Sequence, residues 1–112
     1  MKYLLFIYQP QGHDPKELTG DEYQAVAAQY AELNAMPNLK AGVPAGFPAK
    51  AVTVQVKDGQ TISTPGPYTE IPVGGYCELE AASLEEAIRI AARIPAARLG
   101  GAVEVRVSER YW

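Results

Sequence analysis

Residues 64–107 have the sequence TPGPYTEIPVGGYCELEAASLEEAIRIAARIPAARLGGAVEVRV, and their pattern determines which folds the chain can adopt. Polar and apolar residues alternate over 76–80, which predicts a half-buried strand. Ser83 and Glu86 then have the spacing of a capping box at the start of a helix. Alternation returns over 102–107 and predicts another strand. This part of the chain is therefore expected to form a loop, a strand, a helix and a strand.

The helix and the strand before it each have one apolar face. Apolar residues recur along the helix at the spacing of a single face, at Leu84, Ala87, Ile88, Ala91 and Ala92. Pro95 is expected to end the helix, because proline disfavours helical geometry in the preceding residue. Cys77 and Leu79 share one face of the strand. One face of the sheet is therefore expected to pack on helices.

The residues before this stretch predict a strand, a helix and an irregular segment. Residues 3–8 are rich in aromatic and branched side chains, as strands are. Thr19 and Glu22 repeat the capping-box spacing. The helix that they start has an apolar face at Tyr23, Val26, Ala27, Tyr30 and Leu33. Residues 36–48 contain three prolines and two glycines, so only a short edge strand around 39–43 is expected there.

A β-hairpin is predicted between this irregular segment and residue 64. Valines alternate with polar residues over 51–57, and Asp58-Gly59 then turns the chain. A two-residue turn would place Gln55 opposite Ile62. A three-residue turn with a left-handed glycine would instead place Val54 opposite Ile62. We expect the three-residue turn.

The complete order of elements predicts one α+β domain over residues 1–112. The elements follow one another as a strand, a helix, a strand pair, a further strand, a helix and a last strand. This is the βαββαβ order of a ferredoxin-like sandwich, in which an antiparallel sheet has two helices on one face. The strands at 3–8 and 76–80 are expected at its centre. The hydrophobic fraction of 47% and the charged fraction of 21% are those of an ordinary globular domain.

The second face of this sheet combines apolar and charged residues. The strand at 3–8 is apolar on both faces, whereas its neighbours place Tyr76, Glu78, Glu104 and Arg106 on the second face. Such a face is costly to leave in water. We therefore expect a homodimer, with two sheets facing each other across a two-fold axis around a partly polar cavity.

Composition and motifs argue against several classes of function. The net charge is −3, so neither nucleic acid nor an anionic membrane is an expected partner. The apolar run at 3–8 is too short for a signal peptide or a membrane span, and the protein is expected to be cytoplasmic. The single cysteine, Cys77, is expected to be a buried structural thiol. The chain has no cluster of metal ligands, phosphate-binding Gly-rich loop or Gly-x-Ser-x-Gly elbow, so no metal and no cofactor is expected.

Several short motifs follow one another in an order that resembles a known family. They are Met1-Lys2-Tyr3-Leu4-Leu5, Gly66-Pro67-Tyr68, Gly74-Gly75-Tyr76, the helix end at 91–97, and Gly101-Ala102-Val103-Glu104-Val105-Arg106. Together they resemble the YCII-related, DGPF-domain proteins. The resemblance implies a ferredoxin-like α+β fold and a dimeric α/β barrel, and it implies no particular reaction.

The chain departs from the family pattern at the proline-rich turn. The family's Asp-Gly-Pro-Phe appears here as Pro65-Gly66-Pro67-Tyr68, which removes the acidic side chain. The lysine and glutamate that usually follow are replaced by the shorter segment at 69–73. A His-Asp pair proposed for some relatives has a different pattern, so that role is not assigned to His13 and Asp14.

His13 and Tyr68 are the candidate catalytic residues. His13 lies in the loop after the first strand and could act as a general base near neutral pH, or it could be a solvated loop residue. Tyr68 lies on a turn that two prolines stiffen, which suits the presentation of a phenol to a cleft. A tyrosine also fills cores and interfaces, so the structural interpretation stays open for both residues.

Tyr76, Glu78, Glu104 and Arg106 are the candidate ligand-binding residues. Charges on a covered sheet face need partners, so the last three either pair with one another at a dimer interface or surround a polar ligand. Cross-strand pairing requires only the predicted sheet. A ligand requires a cavity as well.

Two functions of different class remain open. One is an enzyme or binding protein for a small molecule, with a cleft between the barrel face and the segment at 36–48 and with Tyr68 and His13 at its rim. The other is a non-catalytic accessory protein, because the resemblance includes relatives encoded beside alternative sigma factors and implies a regulatory or stress-response role. The aromatic tail, Tyr111 and Trp112, is expected to dock on the body or on the partner.

Overall fold

The computed structural model describes residues 1–9, 19–71 and 73–110. Its strands are β1 (Lys2–Tyr8), β2 (Leu39–Ala41), β3 (Val52–Lys57), β4 (Gln60–Pro65), β5 (Gly75–Glu80) and β6 (Ala102–Val107). Its α-helices are α1 (Gly20–Asn34), α2 (Leu84–Ala91) and α3 (Pro95–Arg98), and a 3-10 turn spans Pro48–Lys50. No helix in these described ranges is long and apolar enough to cross a bilayer.

Four of the strands form one antiparallel sheet in the order β2-β5-β1-β6. Leu5, in the middle of β1, lies opposite Cys77 of β5 and opposite Val105 of β6. The central positions of β1 and β5 confirm the sequence prediction, and so does the short edge strand β2. This mixed α+β arrangement is compatible with a ferredoxin-like fold.

The core lies between the sheet and the helices. Alternate residues of β1, namely Tyr3, Leu5 and Ile7, are buried, and Leu79 of β5 is buried beside them. The helices contribute Leu33, Ala87, Ile90, Ala91 and Ala96 to the same cluster, and Ile94 joins it from the turn between α2 and α3. The helices therefore pack on one face of the sheet, as the strand alternation predicts.

Both long helices begin at the predicted caps. Ser83 Oγ accepts a hydrogen bond from the Glu86 backbone N–H at 3.2 Å, and Glu86 Oε2 accepts one from the Ala82 N–H at 2.9 Å. Thr19 Oγ1 accepts from the Glu22 N–H at 3.3 Å. Such caps typically stabilise a helix by about 1 kcal/mol, because they satisfy amides that have no partner within the helix.

The predicted apolar face of α1 is only partly buried. Leu33 is in the core and Tyr30 is half-buried, but Tyr23 and Ala27 are exposed. Helix α1 contacts β2 and α3, and its buried residue, Leu33, lies in its last turn. The predicted apolar face of α1 is therefore buried mainly near its C-terminal end, because helical periodicity does not specify how much of a helix lies over a core.

Strands β3 and β4 form a separate two-stranded sheet, which we call the hairpin arm. Asp58 and Gly59 have φ values of 51° and 77°, as both central residues of a two-residue type I′ turn require. Gln55 accordingly lies opposite Ile62. The expected three-residue turn was wrong, because aspartate tolerates the left-handed region and the primed turn matches the strand twist.

The hairpin arm gives the chain an elongated shape. The radius of gyration is 16.1 Å and the extents are 48 × 37 × 20 Å. A compact domain of about 100 residues has a radius of gyration of about 13 Å. The short dimension corresponds to one sheet and one helical layer, because packed layers are about 10 Å apart. Within the described ranges, the helices pack on the side of the four-stranded sheet that bears Tyr3, Leu5 and Ile7.

Candidate functional site

The side of the four-stranded sheet away from the helices, which we call the open face, brings the predicted ligand-binding residues together. Strand pairing arranges its residues in two neighbouring rows across the sheet. One row contains Lys40, Glu78, Leu4 and Arg106, and the next contains Gly42, Tyr76, Phe6 and Glu104. The four candidates thus lie around Leu4 and Phe6, with adjacent strands about 4.8 Å apart.

Phe6 lies at the centre of this arrangement. The Arg106 guanidinium lies over the Phe6 ring, 5.3 Å from its centroid, which is within the range of a cation–π contact. Arg106 Nε also donates a hydrogen bond to Glu104 Oε2, and the two side chains form an ion pair. The charged pair thus lies against an aromatic ring, and the Arg106 and Glu104 side chains remain 65% and 40% exposed.

Tyr76 packs over the backbone of Gly42. A Cβ atom at position 42 would lie 2.4 Å from the Tyr76 Cζ atom, so any side chain there would displace the ring. The Gly42 backbone N–H also donates to the Tyr76 carbonyl oxygen at 2.9 Å. Tyr76 is 44% exposed, so part of its side chain is open to a further contact.

Glu78 is half-buried between Lys40 and Leu4 in its row. Its carboxylate therefore has a cationic residue on one neighbouring strand and an apolar residue on the other. The open face as a whole combines an apolar centre with two carboxylates, two cations and a phenol. This is the composition expected of a surface that recognises a small polar molecule, and binding by these residues stays a prediction.

Of the two candidate catalytic residues, the structure describes Tyr68, which lies outside the rows of the open face. Tyr68 follows the hairpin arm in a bend, and its side chain is 76% exposed. His13 lies outside the described residues. Their catalytic roles stay predictions.

A shallow depression of about 220 Å³ lies at the base of the hairpin arm. Phe47, Lys50, Pro67 and Val73 contribute to its lining, so it adjoins the segment at 36–48 where a cleft was expected. The neighbour of Tyr68, Pro67, takes part in this lining. Lys50 is the charged residue of an otherwise apolar surround, and the depression is too open to enclose a molecule within one copy of the chain.

The buried thiol and a neighbouring phenol are both protonated at neutral pH. Burial raises the pKa of the Cys77 thiol above its ordinary value. Burial also raises the pKa of Tyr30; the nearby Cys77 raises it further, while a hydrogen bond with Gln9 acts in the opposite direction. Cys77 is buried, as predicted, and a thiol of raised pKa is a poor nucleophile. These groups belong to the core.

Sequence reasoning missed three residues that shape the open face. Phe6 was noted only as part of an apolar strand, Lys40 lies on an edge strand of three residues, and Gly42 was counted as a strand breaker. The alternation of β1 could have identified Phe6, because it shares a face with Leu4. Gly42 carries no such signal, since its role depends on the position of the Tyr76 ring. Within the described ranges, no group of three or more His, Cys, Asp or Glu side chains is placed to hold a metal ion.

Comparison with known proteins identifies the family. A search of curated proteins finds no match to the chain. The model of the YCII-related domain matches residues 1–110, which is nearly the whole sequence, and this agrees with the motifs quoted above. The chain therefore belongs to the family of YCII-related domain proteins.

Proposed function

We propose that this protein binds a small molecule bearing a carboxylate or an aromatic ring on its open face. The observation that carries the proposal is the placement of Arg106 over Phe6 and beside Glu104, with Tyr76 on the opposite side of Phe6. A guanidinium held against an aromatic ring offers donors to a carboxylate and a flat surface to a ring.

The chemistry of binding follows from these side chains. A ligand carboxylate can accept hydrogen bonds from Arg106 beside Glu104, because a guanidinium has five N–H donors and the Glu104 contact does not use all of them. Leu4 and Phe6 provide an apolar floor, and the Tyr76 hydroxyl can donate to a ligand oxygen. Weak acid or base catalysis by the two candidates Tyr68 and His13 would require, in addition, that these residues reach the bound ligand.

A second copy of the chain is part of this proposal. The described residues of one chain leave the open face partly in contact with water, whereas ligand sites usually enclose most of the ligand surface. A homodimer that faces two such sheets would form the enclosed cavity of a dimeric barrel. The ligand would then lie between the two copies.

The test is a thermal-shift screen against small carboxylates and phenols. We expect at least one compound to raise the unfolding temperature of the wild type. Arg106→Gln should abolish that shift. The matched control is Arg89→Gln, since Arg89 is an exposed arginine on helix α2 in the other layer; this variant should keep the shift. A shift that survives Arg106→Gln would place the ligand elsewhere.

Exposed apolar side chains favour one second candidate, an accessory protein that acts through protein–protein contacts. Val43, Phe47 and Tyr68 are 77%, 69% and 76% exposed, and all three lie in irregular segments. Exposed apolar groups of this kind occur at interaction sites. A regulatory or stress-response role would need only this surface, and the absence of any ligand-induced shift in the wild type would favour it.

A further inference from the structure

Gly42 determines where the Tyr76 ring lies on the open face. A Cβ atom at position 42 would be 2.4, 2.5 and 2.7 Å from the Tyr76 Cζ, Cε1 and Cε2 atoms, so the ring occupies the space that any other residue would need there. The Gly42 backbone N–H donates to the Tyr76 carbonyl oxygen on one side of β5, and Phe6 of β1 pairs with Tyr76 on the other side. The ring therefore leans over the edge of the sheet and away from Phe6.

The lean of Tyr76 leaves two side chains in the middle of the open face, which we call the central patch. They are Leu4 and Glu78, which lie opposite each other on β1 and β5 and are both half-buried. On the far side of the patch, the Arg106 guanidinium lies over the Phe6 ring. The surface between the Tyr76 ring and the Arg106 guanidinium thus presents one apolar side chain and one carboxylate.

The Glu78 carboxylate can accept hydrogen bonds that its own chain does not supply. No hydrogen bond or ion pair joins its side chain to any residue that the structure describes, including its exposed cross-strand neighbour Lys40. Glu104, by contrast, is paired with Arg106. A half-buried carboxylate loses part of its hydration, and a hydrogen-bond donor compensates for that loss. The central patch therefore favours a ligand group that donates hydrogen bonds.

We infer that the ligand of the open face is an aromatic carboxylate with a hydrogen-bond donor, such as an amino group, at the opposite end of its ring. Gly42 is then a specificity-determining residue, because it keeps the Tyr76 ring clear of the ligand ring. The inference rests on the proposed function and deepens it by naming the class of ligand. The carboxylate binds Arg106, the ring lies on Leu4, and the donor reaches Glu78.

The spacing across the sheet agrees with a single ring. Adjacent strands are about 4.8 Å apart, so Glu78 on β5 and Arg106 on β6 are separated by about 10 Å at the backbone, with β1 between them. Arg106 extends inward, since its guanidinium lies over Phe6 of β1. One strand spacing then remains between the guanidinium and the strand that carries Glu78. Two groups at opposite ends of one six-membered ring can therefore reach both side chains.

Charge complementarity favours such a ligand over an apolar one. An apolar group on the central patch would take water from Glu78 without replacing its hydrogen bonds, which is costly for a carboxylate. A ligand with a donor at one end and a carboxylate at the other satisfies Glu78 and Arg106 together. Its ring covers Leu4, so the apolar and the polar parts of the patch are both used.

The first experiment compares two ligands of the same shape. The methyl group of para-methylbenzoate has the size of the amino group of para-aminobenzoate but donates no hydrogen bond. Calorimetric titration measures both dissociation constants. We expect the wild type to bind para-aminobenzoate roughly tenfold more tightly, which corresponds to one hydrogen bond to a charged acceptor.

Variants at two glutamates identify the acceptor. Glu78→Met removes the carboxylate and should bind the two compounds with equal affinity. Glu85→Met, at an exposed position on α2, is the matched control and should keep the preference. Equal binding of the two compounds by the wild type would overturn the inference. So would a preference that survives Glu78→Met, including the case in which this variant only alters the oligomeric state measured by light scattering.

The second experiment tests Gly42 in a double-mutant cycle. Gly42→Ala pushes the Tyr76 ring away from β2 in the direction of β1, so a ligand has to displace the ring. We expect para-aminobenzoate to bind about three- to tenfold more weakly, since the displaced ring takes an unfavourable rotamer. In a Tyr76→Ala background the same substitution should have no further effect. Gly46→Ala is the control, because a Cβ there meets no atom within 4 Å. An equal loss in both backgrounds would overturn the role of Gly42.

The position of the Tyr76 ring is also measured without a ligand. Protein labelled with meta-fluorotyrosine gives fluorine NMR signals for its tyrosine rings, and Tyr76→Phe assigns the signal of residue 76. We expect Gly42→Ala to shift this signal and Gly46→Ala to leave it unchanged. A signal that stays in place in Gly42→Ala would contradict the role of Gly42, whatever the protein binds.

The inference and the proposed function fail in different ways. If a carboxylate binds and Arg106→Gln abolishes its binding, but the wild type does not distinguish para-aminobenzoate from para-methylbenzoate, the proposed function stands and the inference alone fails. If no carboxylate or phenol binds the wild type, both fail. The fluorine signal needs no ligand, so the position of the Tyr76 ring is established in either case.

Discussion

The four-stranded sheet and the hairpin arm are built from similar alternating sequences, but they place their apolar residues in opposite environments. In β1, the alternate residues Tyr3, Leu5 and Ile7 are buried under helices. In β3, the alternate residues Val52, Val54 and Val56 face water. Alternation specifies that a strand has an apolar face. Which surface covers that face depends on the connections of the strand to the rest of the molecule.

The largest expected change in the free energy of unfolding distinguishes the four-stranded sheet from the hairpin arm. Leu5→Ala removes a fully buried side chain from the centre of β1 and should lower the free energy of unfolding by about 2–5 kcal/mol. Val54→Ala removes an exposed side chain and should have an effect within about 0.5 kcal/mol in the isolated chain. Urea denaturation of both variants measures the difference.

The protein concentration sharpens this comparison. If a second copy covers the arm, the effect of Val54→Ala should grow as the concentration rises and the dimer forms, because dimer stability depends on protomer concentration. The loss of stability in Leu5→Ala should include a component that does not depend on protein concentration, because Leu5 is buried within its own chain. An effect of Val54→Ala that equals that of Leu5→Ala in dilute monomer would show that the arm is packed within its own chain.

The second effect concerns the glycine under Tyr76. Gly42→Ala forces the partly exposed ring to move, because the new Cβ would lie 2.4 Å from its Cζ atom, and holding a side chain away from its preferred rotamer costs about 0.5–1.5 kcal/mol. Gly46→Ala is the control, because a Cβ there meets no atom within 4 Å. Thermal unfolding of the two variants should therefore differ.

A double variant identifies the cause. In a Tyr76→Ala background the additional loss from Gly42→Ala should fall close to that of Gly46→Ala, since the clashing ring is absent. An unchanged loss in that background would mean that the cost arises from the backbone at position 42 and not from the ring.

More of the four-stranded sheet and its helices could be predicted from the sequence than of the hairpin arm, and the reasons are physical. The central strands and both helix caps depend on local spacing, so Ser83 and Thr19 were identified correctly. The turn of the arm was wrong because Asp58 adopts a positive φ, which neither alternation nor composition indicates. The exposure of the valines depends on the whole fold, and no local pattern encodes it.

In the candidate site, too, local spacing predicted some features and the whole fold determined others. Alternation was sufficient to place Tyr76, Glu78, Glu104 and Arg106 on one face, since strand residues two apart share a side. It did not indicate that Arg106 lies over Phe6, because that contact joins two strands far apart in sequence. The family resemblance implied an α+β fold with an antiparallel sheet, which the structure has, and it supplied no ligand.

The third effect is small and concerns the ion pair on the open face. Glu104→Gln should lower the free energy of unfolding by about 0.2–1 kcal/mol, because both partners are partly exposed and water screens their attraction. The difference from the wild type should shrink at high salt. Glu109→Gln, a charge change at an exposed residue after β6, is the control in thermal unfolding at two salt concentrations.

The same variant separates two roles of the pair. If Glu104 serves the dimer interface, Glu104→Gln should weaken dimerisation measured by light scattering. If it serves a ligand, ligand-induced thermal shifts should change while the dimer stays intact. A variant that changes neither would show that the pair is an ordinary surface contact.

The smallest expected effect on stability is that of Tyr68→Phe, at the end of the hairpin arm. Tyr68 is 76% exposed, so the loss of its hydroxyl should change the free energy of unfolding by less than about 0.5 kcal/mol. The DGPF motif that this turn resembles has phenylalanine at the same place, so the backbone should accept the change. Tyr23→Phe, at an exposed position on α1, is the control and should be equally neutral.

Measurements of ligand affinity in Tyr68→Phe would show whether the Tyr68 hydroxyl contacts a ligand. Pro65 and Pro67 restrict the backbone around Tyr68, which limits the freedom of the phenol before any ligand arrives. If the hydroxyl contacts a ligand, affinity should fall by about 0.5–1.5 kcal/mol, the net contribution of one hydrogen bond, while Tyr23→Phe leaves it unchanged. Titration of a compound found in the thermal-shift screen measures both variants. Equal affinities in Tyr68→Phe and the wild type would confine recognition to the open face and leave the turn after the arm with a structural role.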